Sequence, residues 1–277
     1  MRTTDSIVRL VSIAQNVPGP AAVARLVQRG AAAVKIEPPH GDALETMCKP
    51  WYDQLHAGVR VERLDLKSRD GLAALQAHLR NCDLFVASQR PAALARLGLD
   101  AASLARDFPA LRHLNIVGDT ADPAHAGHDL TYQAQHGLLR RQMPLTLVAD
   151  MVGAERAYAA AIELMNDAPG SNRVVGLANV IHDVAAPLRH GLTAPGGPLG
   201  GGNPAYGLYA AREGMVAVAA LEPHFRARLF ASLGLADGSD PSAAFRTRTA
   251  LEWEAWARPL DLPIVAVKLV DETSEPR

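Results

Sequence analysis

Residues 7–37, IVRLVSIAQNVPGPAAVARLVQRGAAAVKIE, decide the fold class. Ile7 to Ala14 is a short, mostly apolar run of strand length. Asn16-Val17-Pro18-Gly19-Pro20 is a turn, and Ala21 to Gln28 follows with helical spacing that Gly30 ends. Ala32 to Glu37 is a second strand, left by the rigid loop Pro38-Pro39-His40-Gly41-Asp42. Two strands joined through a helix form a β-α-β unit, with parallel strands and a right-handed crossover.

The alternation runs on downstream. Val61 to Leu66 reads as a strand, Gly71 to Arg80 as a helix and Asp83 to Ser88 as a strand. Pro91 to Leu97 is a helix with proline in its first turn, Ala101 to Asp107 another, and His113 to Val117 a further strand. This is the pattern of an α/β protein with an open parallel sheet. Then the texture changes. Leu145 to Asn166 is one long Ala-rich helix with Asp150 in its first turns, and Gly196 to Gly202 is a flexible loop. Tyr206 to Tyr209 and Met215 to Ala220 form a hairpin turning at Arg212-Glu213-Gly214, followed by helices at Phe225 to Leu233 and Leu251 to Ala257. The expected organisation is a Rossmann-like large domain over 1–195, including linker helices, and a smaller α+β domain over 196–277. There is no internal repeat.

Composition excludes several classes. With 277 residues, 48% hydrophobic and 21% charged, the chain reads as a soluble globular protein. Its net charge is −1, without a long basic run, which argues against nucleic acid as a partner. Cys48 and Cys82 are the only cysteines and have no CxxC spacing, so neither a zinc site nor a disulfide framework is expected. The N-terminus lacks the apolar core of a signal peptide, and no stretch approaches the roughly 18 apolar residues of a membrane span. A cytoplasmic protein without a membrane partner is expected.

The residues suited to chemistry are few. Ala126-Gly127-His128-Asp129-Leu130-Thr131-Tyr132 sets an imidazole beside a carboxylate, and Asp150 and Glu222 are single acids in apolar surroundings. Taken singly, each has an ordinary role: a core histidine at 128, a cap at Asp129 for a helix starting at Leu130, a cap or ion pair at Asp150, a turn at Glu222. The turn at 15–20 is not GxGxxG, which disfavours NAD, although it precedes a helix N-terminus. Lys67, Arg69, Arg90 and Arg96 offer charge to a phosphate-rich ligand or simply snorkel.

Read in order, the pieces resemble the family III CoA transferases (CaiB/BaiF). This group includes formyl-CoA transferase, carnitine CoA-transferase and α-methylacyl-CoA racemase. The resembling segments are Asn16 to Pro20, Val34 to Asp42, Leu64 to Lys67, Arg90-Pro91 with Leu94 to Leu99, Ala126 to Gly137 and Ala149-Asp150-Met151. They continue through Gly200 to Tyr209, Leu221-Glu222-Pro223-His224-Phe225, and Phe245-Arg-Thr-Arg-Thr with Glu252-Trp253, colinear from residue 7 to about 268. The racemase branch fits best. The resemblance implies that His128 and Asp150 face the α-carbon of a 2-methylacyl-CoA thioester from opposite sides, and that Glu222 pairs with His128. Backbone N–H groups near Asp129 would meet the enolate oxygen. It further implies that coenzyme A, as part of the substrate, is held by Asn16, Val17, Leu64, Lys67, Ser88, Gln89, Arg96 and Leu97. No prosthetic group and no metal are implied. The protein would be an interlocked homodimer, for which linkers around Arg173 to Gly202 are long enough.

Departures from the pattern keep alternatives open. Pro38 stands where many members place an arginine that meets a CoA phosphate, so Lys35, Lys67 or Arg69 must replace it. A Gly-rich loop is replaced by Gly118 to Pro123, and the C-terminal return to the large domain is expected to be missing beyond Lys268. The alternatives are a CoA transferase with a covalent aspartyl intermediate at Asp150, and a non-catalytic acyl-CoA-binding paralogue. The transferase branch typically carries glutamine where this chain has Asn16-Val17.

Overall fold

A computed structural model describes residues 7–268. The chain divides into two compact units between Ala185 and Ala186, ten residues before the boundary expected from the sequence.

The first unit is built on six parallel strands, β1 (Arg9–Ser12), β2 (Ala32–Glu37), β3 (Val59–Arg63), β4 (Leu84–Ala87), β5 (Arg112–Val117) and β6 (Asn172–Gly176). Their spatial order is β3-β2-β1-β4-β5-β6. The connecting helices are α1 (Pro18–Gln28), α2 (Ala43–Met47), α3 (Lys49–Leu55), α4 (Arg69–Leu79), α5 (Pro91–Arg96), α6 (Ala101–Asp107), α7 (Asp129–Gln135), α8 (Val148–Asn166) and α9 (Leu177–Val184). All neighbouring strands pair in parallel. This is the doubly wound order, and the direction in which successive strands are added reverses between β1 and β4, where such sheets open a crevice beyond their C-terminal ends.

Strand alternation sorts the core into two layers. Leu10, Val86, Leu114 and Ile116 face the side covered by α1, α8 and α9. Val11, Phe85 and Ala87 face the side covered by α4, α5 and α6. β4 and β5 are buried along their whole length, as strands covered on both faces must be. The alanines of α8 let it approach α1 closely, and a side chain at Gly153 would run into Leu177.

Three local expectations change. Residues 172–185 are not linker: β6 pairs along β5, so the span left to link the units is shorter than Arg173 to Gly202. β6 has no strand signal in the sequence because it is an edge strand with a polar, half-exposed start rather than an apolar run. The third strand is Val59–Arg63, since Asp65 and Leu66 belong to the turn that leads into α4, where Ser68 Oγ accepts the Gly71 N–H. Residues 43–55 form α2 and α3, two helices too short to show periodicity.

The second unit holds α10 (Ala186–Arg189), the antiparallel strands β7 (Tyr206–Ala210), β8 (Met215–Ala219) and β9 (Ile264–Ala266), and helices α11 (Pro223–Leu233), α12 (Ser242–Phe245) and α13 (Ala250–Ala257). Val216, Val218, Leu229, Phe230, Phe245 and Trp253 make its core, and the Trp253 indole N–H donates to the Phe245 carbonyl at 2.7 Å. Among the described residues, no helix is long and apolar enough to cross a membrane.

Candidate active site

The crevice at the β1/β4 switch is stitched by side chains that follow both strands. The Gln15 N–H donates to Ser88 Oγ at 3.1 Å, and Gln89 Nε2 donates to the Ile13 carbonyl at 2.7 Å. Two hollows adjoin these residues. One, of about 750 Å³, is lined by Ile36, Leu64, Lys67, Gln89, Arg96 and Leu97. The other, of about 630 Å³, is lined by Asn16, Val17, Trp51, Ser88, His128, Tyr132 and Asp150. Gln15, which the sequence reading passed over, lines both. The eight expected CoA contacts are thus divided between the two hollows, five in the first and Asn16, Val17 and Ser88 in the second.

Charge is distributed unevenly. Lys67 and Arg96 on the first hollow form no ion pair among the described residues, so both can meet an anion. His40 lines the same hollow, two residues beyond Pro38. Lys35 cannot replace the phosphate-binding arginine. It is 2% exposed, and its ammonium is spent on Asp42 Oδ2 (2.6 Å), Glu37 Oε1 (3.1 Å) and His56 Nε2 (2.9 Å). Arg69 is not among the residues lining the hollow, which leaves Lys67 of the three. The second hollow, by contrast, has no lysine or arginine among its described lining residues.

His128 is the N-cap of α7, and its backbone is held by reciprocal bonds with Thr131: its N–H donates to Thr131 Oγ1 at 3.0 Å, and that hydroxyl donates to its carbonyl at 2.8 Å. Asp129 turns inward. Its Oδ1 accepts the N–H groups of Ala149 (2.6 Å) and Asp150 (3.2 Å), and its Oδ2 accepts from Gln133 Nε2 (2.6 Å). It therefore caps not a helix of its own from Leu130 but the distant α8, whose N-cap Leu147 has no suitable side chain. Two glycines make room for Tyr132, because a side chain on Gly118 or Gly127 would collide with its ring or hydroxyl.

Asp150 is the third residue of α8 and lines the second hollow. Burial, reinforced by the neighbouring Asp129 charge, pushes its carboxyl up to about 7. Near neutral pH such a group both gives and takes a proton. The shift also has a thermodynamic signature. Between the ordinary carboxyl value of 3.8 and about 7, the folded chain holds a proton that the unfolded chain has lost. Stability therefore falls as pH rises through that window. Asp150→Asn should abolish this slope, melting higher than wild type above pH 7 and close to it near pH 4. Parallel melting curves across that range would contradict the assignment.

Glu222 lies in the second unit, exposed, at the N-cap of α11.

The sequence profile of CoA-transferase family III matches residues 6–276. This chain belongs to CoA-transferase family III. The family acts on CoA thioesters, and its members include racemases as well as transferases. The chain is 29% identical over 259 residues to α-methylacyl-CoA racemase of Mus musculus, covering 85% of this chain and 66% of the relative. It is 30% identical over 122 residues to cinnamoyl-CoA:phenyllactate CoA-transferase of Clostridium sporogenes, covering 40% of this chain and 30% of the relative. It thus spans less than two thirds of the curated relatives it matches. A CaiB/BaiF family protein of Brucella suis shares the fold, with TM-score 0.74, 19% identity and coverage of 95% of this chain and 83% of that one. A hypothetical protein of Mycobacterium tuberculosis does so with TM-score 0.81, 17% identity and coverage of 95% and 82%.

Proposed function

We propose that this protein is an acyl-CoA racemase or epimerase that moves a proton at the α-carbon of a 2-methylacyl-CoA. The observation that carries the reading is one cavity lined by His128 and by an Asp150 titrating at about 7. One group removes the α-proton, the C–H electron pair moves into the thioester as an enolate, and the other group delivers a proton to the opposite face. Each then exchanges with solvent. Asp150 suits either direction because neither protonation state is costly near neutral pH. Asn16, Val17 and Ser88 would hold the pantetheine arm beside the cavity, while Leu64, Lys67, Gln89, Arg96 and Leu97 would hold the nucleotide end.

Incubation with an (R)-2-methylacyl-CoA in deuterium oxide tests the reading. Racemisation with one deuteron gained supports it. CoA transfer to a free acid, with a hydroxylamine-trapped adduct at Asp150, would replace it with the transferase. Binding of CoA without either reaction would leave a non-catalytic acyl-CoA-binding protein.

The same reading keeps Glu222 as an acid of the reaction and makes the protein an interlocked homodimer. A monomer in sedimentation equilibrium would remove the second of these. At the nucleotide end, Lys67→Ala and Arg96→Ala should each weaken CoA binding by about 1–2 kcal/mol and flatten its salt dependence. Calorimetry at two ionic strengths measures both effects.

A further inference from the structure

We propose that Asp42 is a positioning residue of this site: held by Lys35, it fixes both the Asn16 turn and the α2–α3 wall of the cavity that contains His128 and Asp150. The inference rests on reading that cavity as the reaction chamber.

Asp42 is 2% exposed, and its two oxygens face three separate parts of the chain. The Asn16 N–H donates to both, at 3.1 Å each; the Leu44 N–H donates to Oδ1 at 3.0 Å; Lys35 Nζ donates to Oδ2 at 2.6 Å. Lys35 is fixed in turn. Its ammonium also donates to Glu37 Oε1 and to His56 Nε2, and the Tyr52 hydroxyl donates to the same Glu37 oxygen at 2.8 Å. His56 Nδ1 sits 2.6 Å from the Tyr52 carbonyl, which assigns the ring proton to Nδ1 and leaves Nε2 as the acceptor for Lys35. Burial and the Lys35 charge lower the His56 pKa, which fits this neutral ring.

What the network holds is otherwise weakly held. Asn16 has φ 64°, one of two non-glycine residues with positive φ among those described, a region that asparagine enters more readily than most residues and that the bonds to Asp42 help to hold. α2 and α3, with the residue between them, supply Ala43, Leu44, Met47, Cys48 and Trp51 to the cavity wall. Their fully buried apolar seat consists of Val17, Leu44 and Tyr52. Directional bonds from a buried ion cluster thus do for this wall what an extended core does for the sheet.

Asp42→Asn keeps the size of the side chain and one acceptor. Asp42→Ser keeps a cap for α2 but cannot reach Asn16 or Lys35. Backbone hydrogen–deuterium exchange, CoA affinity and racemisation of a 2-methylacyl-CoA are measured for both. Exchange should rise over residues 14–18 and 43–56 and stay unchanged in β4 and β5. Turnover should fall on the order of 10²-fold, as misplacement of a cavity wall by about 1 Å would cause, with a smaller loss of CoA affinity, because Asn16 and Val17 are two of its eight expected contacts. Unchanged protection over 14–18 and 43–56, or a rise shared equally by β4 and β5, would overturn the proposal. If wild-type protein turns over no acyl-CoA, the reaction reading falls, and the exchange pattern alone decides the role of Asp42.

Discussion

Asp150→Asn should lose racemisation by about 10³-fold while still exchanging the α-proton of one substrate enantiomer. With two groups on opposite faces, each enantiomer presents its proton to one group only. Removing the Asp150 base leaves His128 able to lift the proton that faces it and to return a deuteron to the same face. Inversion requires delivery from the missing side. His128→Ala should show the mirror pattern, with exchange of the other enantiomer alone. General acid–base groups contribute typically 10²–10⁴-fold, or about 3–5 kcal/mol of barrier, so each loss lies well above detection. Nuclear magnetic resonance of each enantiomer in deuterium oxide reads exchange, and chiral chromatography reads inversion. Equal residual exchange of both enantiomers in either variant would refute a two-sided mechanism. A double variant should be little worse than either single one for inversion, because both groups serve one step.

Asp129→Ala is the change expected to cost most in stability. It strips three hydrogen bonds from one buried carboxylate and leaves the N–H groups of Ala149 and Asp150 and the Gln133 amide without that partner. Unsatisfied buried donors facing a lost charge cost about 1–3 kcal/mol each, with partial relaxation by water, so a total of roughly 3 kcal/mol is expected. For a domain of this size that is roughly a 6–12 °C fall in melting temperature. Asp129→Asn, which keeps an acceptor, should cost about 1 kcal/mol. It should also lower the Asp150 pKa, because the Asp129 charge is the lesser of the two causes raising it. The acid limb of the pH–rate profile should then move down. Thermal melts together with pH profiles check both effects. A limb that moves up, or an Asp129→Ala variant as stable as wild type, would disprove this account.

Much of this was legible in the chain itself. The alternation at residues 7–37 gave β1, α1 and β2, because a strand covered on both faces is mostly apolar and a crossover helix carries one apolar face; the buried Lys35 and Glu37 of β2 are the exception. His128 and Asp150 were legible as a pattern of residue types, and both line one cavity. Three things were not legible. Asp129 reads locally as the cap of its own helix, and only tertiary structure brings the start of α8 within reach of it. Lys35 looks like a ligand cation until its burial against Asp42, Glu37 and His56 is seen. Gln15 carries no signal in sequence, since its importance is its place between two hollows.

That place has a practical meaning. On the acyl-CoA reading, Gln15, Ser88 and Gln89 stand where the hollow proposed for the nucleotide end meets the one proposed for the pantetheine arm and the acyl group. Exchanging Met47 or Trp51 should then redirect which acyl groups enter while leaving the grip of Lys67 and Arg96 on the nucleotide end unchanged. A scaffold divided in this way can diversify one compartment while the other stays constant, which gives selection, or an engineer, a dial that turns independently of the carrier.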